Sequence, residues 1–169
     1  MLDKLPLTIR KTTARLAAIQ ALYADDIRDQ DRNVSKLILD SLASFEKDNL
    51  LFESIDSKNN SALIEPDQQF FHKLVTKVIE SQSEIDAIIA EYLTEDWNLE
   101  KLALLIKSTL RASVCELKYF KEIPPKVIIN EYTTIARGFF SESETGFING
   151  ILDKIAQNIR NISSPTQPL

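Results

Sequence analysis

Apolar residues recur every three or four positions along the N-terminal half of the chain, which is the spacing of one face of an α-helix. The first such pattern covers residues 8–27, and a second covers residues 34–53. Polar residues and a proline predict a loop over residues 54–66. A third apolar pattern continues over residues 67–92, and its length fits either one long helix or two.

The C-terminal half predicts three further helices. Residues 99–120 form the clearest amphipathic segment, and the proline pair at 124–125 ends it. The second proline suits the first turn of a following helix, which is predicted to end near residue 139. Ser141 and Glu144 then have the spacing of a capping box at the start of a last helix.

Glycine usage narrows the fold class. The chain has only three glycines, and all of them (Gly138, Gly146 and Gly150) lie near the C-terminus. Strand-rich folds need glycine in their tight turns, so the sequence predicts an all-α protein. The helical pattern breaks near residue 96. We therefore predict an N-terminal helical bundle over residues 1–96, a C-terminal bundle over residues 97–162, and a disordered tail over residues 163–169.

The location of the protein in the cell is indicated by the absence of disulfide pairs, of a secretion signal and of a membrane span from the sequence. A single cysteine, Cys115, cannot form an intramolecular disulfide. The N-terminus has no apolar run typical of a secretion signal, and no window is long and apolar enough to span a bilayer. We expect a cytoplasmic protein.

The charge is unevenly distributed, which matters more for a nucleic-acid partner than the net charge of −5. Residues 1–97 carry 11 basic and 18 acidic side chains, whereas residues 98–169 carry 9 basic and 7 acidic ones. The first 15 residues are also basic. A local basic surface is therefore expected at the N-terminal arm and in the C-terminal half.

Few residues offer chemistry for catalysis. His72 is the only histidine, and it lies within a helical apolar pattern, so we interpret it as a helix-surface or half-buried residue. Cys115 lies in the middle of a predicted helix and is interpreted as a packing residue. Residues 1–137 contain no glycine, which excludes a glycine-rich phosphate loop there. We predict that the protein is not an enzyme and needs no cofactor or metal.

Several polar residues interrupt the apolar runs of the C-terminal helices. Gly150 lies inside the last helix, where glycine is unfavourable and often marks the close approach of another backbone. Asn149 beside it needs a hydrogen bond if it is buried. The pair at 130–131 (Asn-Glu) needs partners as well, and Arg111 and Glu116 are available for them. A structural polar cluster and a binding surface are equally compatible with this set.

Four segments, in the same order, resemble the NusB family. They are Ala-Arg followed by Ala-Ile-Gln-Ala-Leu-Tyr in residues 14–23, Leu-Arg with Cys-Glu-Leu in residues 110–117, Pro-Pro-Lys-Val-Ile-Ile-Asn-Glu with Ala-Arg in residues 124–137, and Phe-Ile-Asn-Gly-Ile-Leu-Asp in residues 147–153. Each segment alone is a weak signal, but together they cover roughly residues 10–160. The resemblance implies two packed helical subdomains of about three helices each.

The resemblance also implies a function and partners. Proteins of this family bind the boxA element of ribosomal RNA leader transcripts together with NusE, a small-subunit ribosomal protein. The pair helps RNA polymerase to read through terminators in an antitermination complex. Some relatives self-associate through the RNA-binding face, so a homodimer is one expected state.

The family's RNA contacts, carried onto matching positions, predict five RNA-binding residues: Arg10, Lys11, Arg15, Tyr92 and Phe147. The cations would contact phosphates, and the aromatic rings would stack on unpaired bases. A core position for Phe147 and simple solvation of the arm remain the alternatives. Thr12 and Thr13 stand where relatives often have arginines, and Gly146 stands at an often basic position, so fewer phosphate contacts and a greater reliance on the protein partner are expected.

The partner-binding face of the family implies contacts at Tyr23, Ile106 and Lys107, each of which could instead be structural. Two other functions stay open at this point. One is a NusB-like RNA-binding domain related to ribosomal RNA cytosine methyltransferases, although the chain has no room for a catalytic sheet after its last helix. The other is a protein-only helical adaptor whose RNA surface has decayed.

Overall fold

A computed structural model describes residues 7–28, 33, 36–40, 43 and 65–161, and all regular elements among these residues are helices. The predicted all-α fold class is confirmed. Residues 36–40 are helical, as the second apolar pattern predicts, but most of that pattern, residues 54–64 of the predicted loop and the predicted tail lie outside the described residues.

The chain divides into two compact units, Met1–Ile79 and Glu80–Leu169. The domain boundary expected near residue 96 stays a prediction.

The first unit contains α1 (Leu7–Arg28) and nearly all of α2 (Gln68–Glu80). Alanine and larger apolar side chains of α1 are buried over residues 13–22, as the sequence pattern predicts. The start of α2 is capped by Asp67, whose carboxylate accepts a hydrogen bond of 3.0 Å from the Phe70 backbone N–H. The Asp67 backbone N–H donates to the Arg10 carbonyl at 3.0 Å, which ties the start of α2 to α1.

The second unit contains four helices among its described residues. They are α3 (Gln82–Glu91), α4 (Leu104–Tyr119), α5 (Pro125–Phe139) and α6 (Glu142–Ile159). The third apolar pattern thus forms two helices, which Ser81 separates. Helix α4 packs against α3, α5 and α6, and α5 packs against α6.

Helix α4 begins five residues later than predicted. The sequence pattern places its start at residue 99, whereas residues 98–102 form turns. The Asn98 side chain accepts a hydrogen bond of 3.0 Å from the Lys101 backbone N–H, and this local bond competes with helix formation. Trp97, just before it, also lies in a turn.

Helix α4 is buried along almost its whole length, and its buried polar side chains form hydrogen bonds within the unit. The hydroxyls of Ser108 and Thr109 donate to the carbonyls one turn earlier, at 2.9 and 2.8 Å. The Arg111 guanidinium donates two bonds to Asp86 of α3, at 2.7 and 2.8 Å. A bidentate pair of this kind orients both helices as well as neutralising the charge.

The printed contacts resolve part of the expectation about the polar interruptions. Arg111 donates to Asp86, and Glu116 accepts a hydrogen bond from the Tyr132 hydroxyl. Asn130 is exposed to solvent, so it needs no buried partner. The close approach of another backbone expected at Gly150 is wrong for the part of the chain that the structure describes: beyond its chain neighbours and its own helix backbone, a Cβ atom added there would meet no atom within 4 Å.

The predicted capping box at the start of α6 is confirmed. The Ser141 hydroxyl accepts a bond of 3.2 Å from the Glu144 backbone N–H, and the Glu144 carboxylate accepts a bond of 2.9 Å from the Ser141 backbone N–H. This reciprocal pair fixes the point at which the chain turns from α5 into α6.

Candidate nucleic-acid interface

The predicted basic arm forms the first turns of α1. Arg10 is partly exposed, and its Nε donates a long bond of 3.4 Å to the carbonyl of Glu65. The Lys11 ammonium lies 5.4 Å from the centre of the Phe70 ring, within the range of a cation–π contact. Both side chains keep access to solvent, so their charges are available to phosphate groups.

Arg15 occupies a different environment from the other two cations. It is only 3% exposed, and its guanidinium carbon lies 5.0 Å from the centre of the Phe70 ring. A phosphate cannot reach it without a rearrangement of α1. In this structure Arg15 stabilises the packing of α1 on α2 beside the half-buried Lys11.

Two aromatic rings of the second unit, those of Trp97 and Phe147, lie in contact. Trp97 is 55% exposed, and its ring lies 5.7 Å from the ring of half-buried Phe147, at an interplanar angle of 40°. This tilted arrangement is favourable for aromatic rings. Phe147 is therefore neither a fully buried core residue nor an isolated surface ring.

Tyr92 follows α3 and lies near the C-terminal end of α6. It caps the C-terminus of α3, and its hydroxyl accepts a hydrogen bond from the Asn158 side chain. Tyr92 is half-buried, and the bond fixes its ring at the surface of the second unit.

Phe147, Lys154 and Asn158 share one face of α6, because they are separated by seven and four residues. At a rise of 1.5 Å per residue, Phe147 and Asn158 lie about 16 Å apart along the helix. Exposed Lys154 lies between them. We call this set (Tyr92, Trp97, Phe147, Lys154 and Asn158) the aromatic stripe.

A cationic cluster lies at the C-terminal end of α4. Arg160 donates hydrogen bonds to the carbonyls of Leu117 and Phe120, at 2.6 and 3.0 Å. Burial lowers the pKa of its guanidinium, and the charge of Glu122 partly offsets that effect. Burial, and after it the charges of Arg160 and Lys118, lower the pKa of the Lys121 ammonium. Arg160 therefore stabilises the C-terminal end of α4. Because its guanidinium donates to these carbonyls, we do not assign it to phosphate binding.

Comparisons with known proteins agree with this architecture. The model of the NusB family matches residues 12–157, which is most of the chain. The chain belongs to the NusB family. A NusB relative named transcription antitermination protein NusB, from Rickettsia bellii (strain OSU 85-389), is 40% identical over 147 residues, covering 87% of this chain and 90% of the relative. The protein of the same name from Brucella ovis is 36% identical over 165 residues, covering 97% and 91%.

Solved NusB structures share the fold. The structure of T. maritima NusB is 29% identical in sequence, with a TM-score of 0.65, and the match covers 91% of this chain and 92% of that one. A chain from the structure of the antitermination factors NusB and NusE in complex with dsRNA matches with a TM-score of 0.67 at 24% identity, over 88% of this chain and 97% of that one. The second likeness supports the fold alone.

The residues expected to contact the partner of NusB proteins differ in accessibility. Tyr23 is 37% exposed on α1, and exposed Ile27 lies one turn further along the same face. Lys107 is half-buried, whereas Ile106 is only 4% exposed and belongs to the core of the second unit. Ile106 presents no surface to a partner in this structure.

The described residues contain no group of three or more side chains that could hold a metal ion. His72 is exposed on α2, and Cys115 is buried in α4. Within the part of the chain that the structure describes, no helix is long and apolar enough to cross a membrane.

Three residues of the aromatic stripe, Trp97, Lys154 and Asn158, were not predicted from the sequence. Trp97 is the only tryptophan of the chain and lies in a polar segment, which was a usable signal. Lys154 and Asn158 were recognisable only from their position on the face of α6 that carries Phe147.

Proposed function

We propose that this chain is a transcription antitermination factor that binds the boxA element of ribosomal RNA leader transcripts together with NusE. It would act in the cytoplasm as part of the RNA polymerase antitermination complex and catalyse no reaction. Its membership of the NusB family and the names of its relatives support this proposal. The observation that carries it is the aromatic stripe.

The stripe has the features of a surface for unpaired RNA. Trp97 and Tyr92 offer ring faces near its two ends, and a base that stacks on an aromatic side chain gains about 1–3 kcal/mol. Lys154 lies between the rings, where a phosphate of the connecting backbone would pass. Arg10 and Lys11 of the first unit would contact further phosphates. Arg15 would support them through Phe70 without touching RNA.

Binding of NusE is proposed at the exposed part of the predicted partner surface. Tyr23 with neighbouring Ile27 offers apolar area, and Lys107 offers a charge. Ile106 would contribute only by holding α4 in place. The start of α1 carries few accessible cations, so the chain without NusE should bind RNA weakly. NusE should therefore increase the affinity for RNA.

The fluorescence of Trp97 provides a direct test, because it is the only tryptophan and lies in the stripe. The full chain is titrated with boxA RNA and with a scrambled RNA, each with and without tryptophan-free NusE. We expect boxA to change the emission and to bind more tightly when NusE is present. Equal binding of both RNAs, unaffected by NusE, would refute the proposal.

Substitutions test which residues contact the RNA. Phe147→Ala should weaken RNA binding about 10-fold or more through lost stacking, whereas Phe139→Ala removes a comparable exposed ring of α5 and should leave binding unchanged. Replacing Arg10 and Lys11 together by alanine should reduce the slope of the logarithm of the RNA-binding constant against the logarithm of salt concentration. The expected reduction is about 0.7 for each lost phosphate contact. The absence of any salt dependence would favour a protein-only adaptor.

A further inference from the structure

The hairpin formed by α5 and α6 opens into a cavity of about 500 Å³. Its walls are formed by seven residues of the two helices and their connection: Thr133, Arg137, Phe140, Glu142, Thr145, Gly146 and Asn149. Thr145 and Asn149 are four residues apart and share a face of α6. Phe147 lies about 200° around the helix from Thr145, at 100° per residue. The cavity is therefore separate from the aromatic stripe.

Two residues that line the cavity, Thr133 and Asn149, belong to a chain of hydrogen bonds. The Thr133 hydroxyl donates to the Asn149 side-chain oxygen at 3.0 Å, and the Asn149 amide donates to Asp153 at 3.3 Å. These two bonds fix the orientation of the amide. They leave Asn149 one further N–H and one further acceptor position for a ligand.

Three other polar residues of the cavity have no hydrogen-bond or ion-pair partner among the described residues. Thr145 is only 6% exposed, and its hydroxyl makes no hydrogen bond with the described residues. An unsatisfied buried hydroxyl is unfavourable, so a polar group entering the cavity would be stabilised there after a rotation about χ1. The charged groups of Arg137 on α5 and Glu142 on α6 form no ion pair among the described residues, and both are exposed to solvent.

We propose that this cavity binds a guanine base, supplied either by RNA or by a free guanine nucleotide, and thus adds a base-specific site to the proposed RNA-binding function. The Glu142 carboxylate can accept two hydrogen bonds, from the ring N1–H and the exocyclic amine of guanine. The Arg137 guanidinium can donate to O6 and N7. Phe140 offers a ring at the cavity wall. Gly146 has no side chain to narrow the entrance.

The same geometry disfavours the other bases. Adenine has an acceptor, not a donor, at ring position N1, so it would place a lone pair against the Glu142 carboxylate. The pyrimidines lack the N7 acceptor that Arg137 would use. Inosine keeps O6, N7 and N1–H but lacks the exocyclic amine, so it tests one of the two bonds to Glu142.

The test is a titration of the ¹⁵N-labelled full chain, followed by amide chemical shifts, with GMP, IMP, AMP and CMP. We expect GMP to shift the amides of Thr145, Gly146 and Asn149, IMP to bind at least 5-fold more weakly, and AMP and CMP to give no saturable shifts there. Glu142→Gln, which leaves the capping box intact, should weaken GMP binding at least 10-fold. Glu100→Gln makes the same change at an exposed turn and should have no effect.

A competing single-stranded RNA that contains one guanosine distinguishes the two sources. Displacement of GMP supports an RNA base as the ligand, and binding of GMP without displacement supports a free nucleotide. Equal shifts with all nucleotides, equal shifts with inorganic phosphate, or unchanged affinity in Glu142→Gln would overturn the proposal. The emission of Trp97 reports the aromatic stripe separately, so a failure of the proposed function there leaves the GMP result interpretable.

Discussion

Arg160 joins the end of α6 to the end of α4, and its replacement should cost more stability than a surface position would suggest. The last carbonyls of a helix have no partner within the helix, and Arg160 donates to four of the carbonyls around the C-terminus of α4. The bonds to Leu117 and Phe120 are 2.6 and 3.0 Å long, and those to Lys121 and Glu116 are 3.3 and 3.5 Å.

The magnitude follows from the two short bonds. A hydrogen bond from a charged donor contributes about 1.5–3 kcal/mol, and partial exposure of Arg160 favours the lower value because water can replace the donor. The two long bonds are weak by geometry. Methionine keeps most of the apolar stem, so Arg160→Met should lower the free energy of unfolding by about 3 kcal/mol. Arg160→Lys keeps the charge at the helix end but loses the planar fork, and it should lose about half as much.

Urea unfolding followed by circular dichroism measures these differences. Lys126→Met is the matched control, since it also replaces a cation by methionine, at an exposed position of α5. It should change the unfolding free energy by less than about 0.5 kcal/mol, as is usual for surface substitutions. An Arg160→Met protein as stable as this control would show that the carbonyl contacts contribute nothing, and the reasoning would be refuted.

Three further substitutions test the second unit. Gly150→Ala should stabilise it by about 0.5–1 kcal/mol, because the site is helical and has room for a methyl group, and a thermal melt with a lower midpoint would contradict this. Tyr132→Phe should cost about 1–3 kcal/mol in urea unfolding, because buried Glu116 loses a hydrogen bond, and parent-like stability would argue against that contact. Asp86→Asn should cost about 1.5–3 kcal/mol by weakening the bidentate pair with Arg111. A double-mutant cycle with Arg111→Met that shows no coupling energy would contradict the ion pair between Asp86 and Arg111.

Much of the fold was predictable from spacing alone. The capping box of Ser141 and Glu144 and the helix that begins at Pro125 depend on residues within one turn of each other. The start of α4 was misplaced because the apolar spacing continues through the turns around Asn98, where a side-chain hydrogen bond replaces the helical one. The candidate site was predictable only in part: the resemblance supplied Tyr92 and Phe147, whereas Trp97 was found from the structure.

The sequence by itself determined the helical class, most helix boundaries and the family, because these depend on the order of residues and on contacts within a few positions. Tertiary structure decided which of the singled-out side chains are accessible. Arg15 and Ile106 match the expected positions but are buried, and the Trp97 and Phe147 rings meet although 50 residues of chain separate them. The local pattern predicts which helix face is buried, but the burial of a particular charged side chain and the meeting of two rings depend on elements distant in the chain.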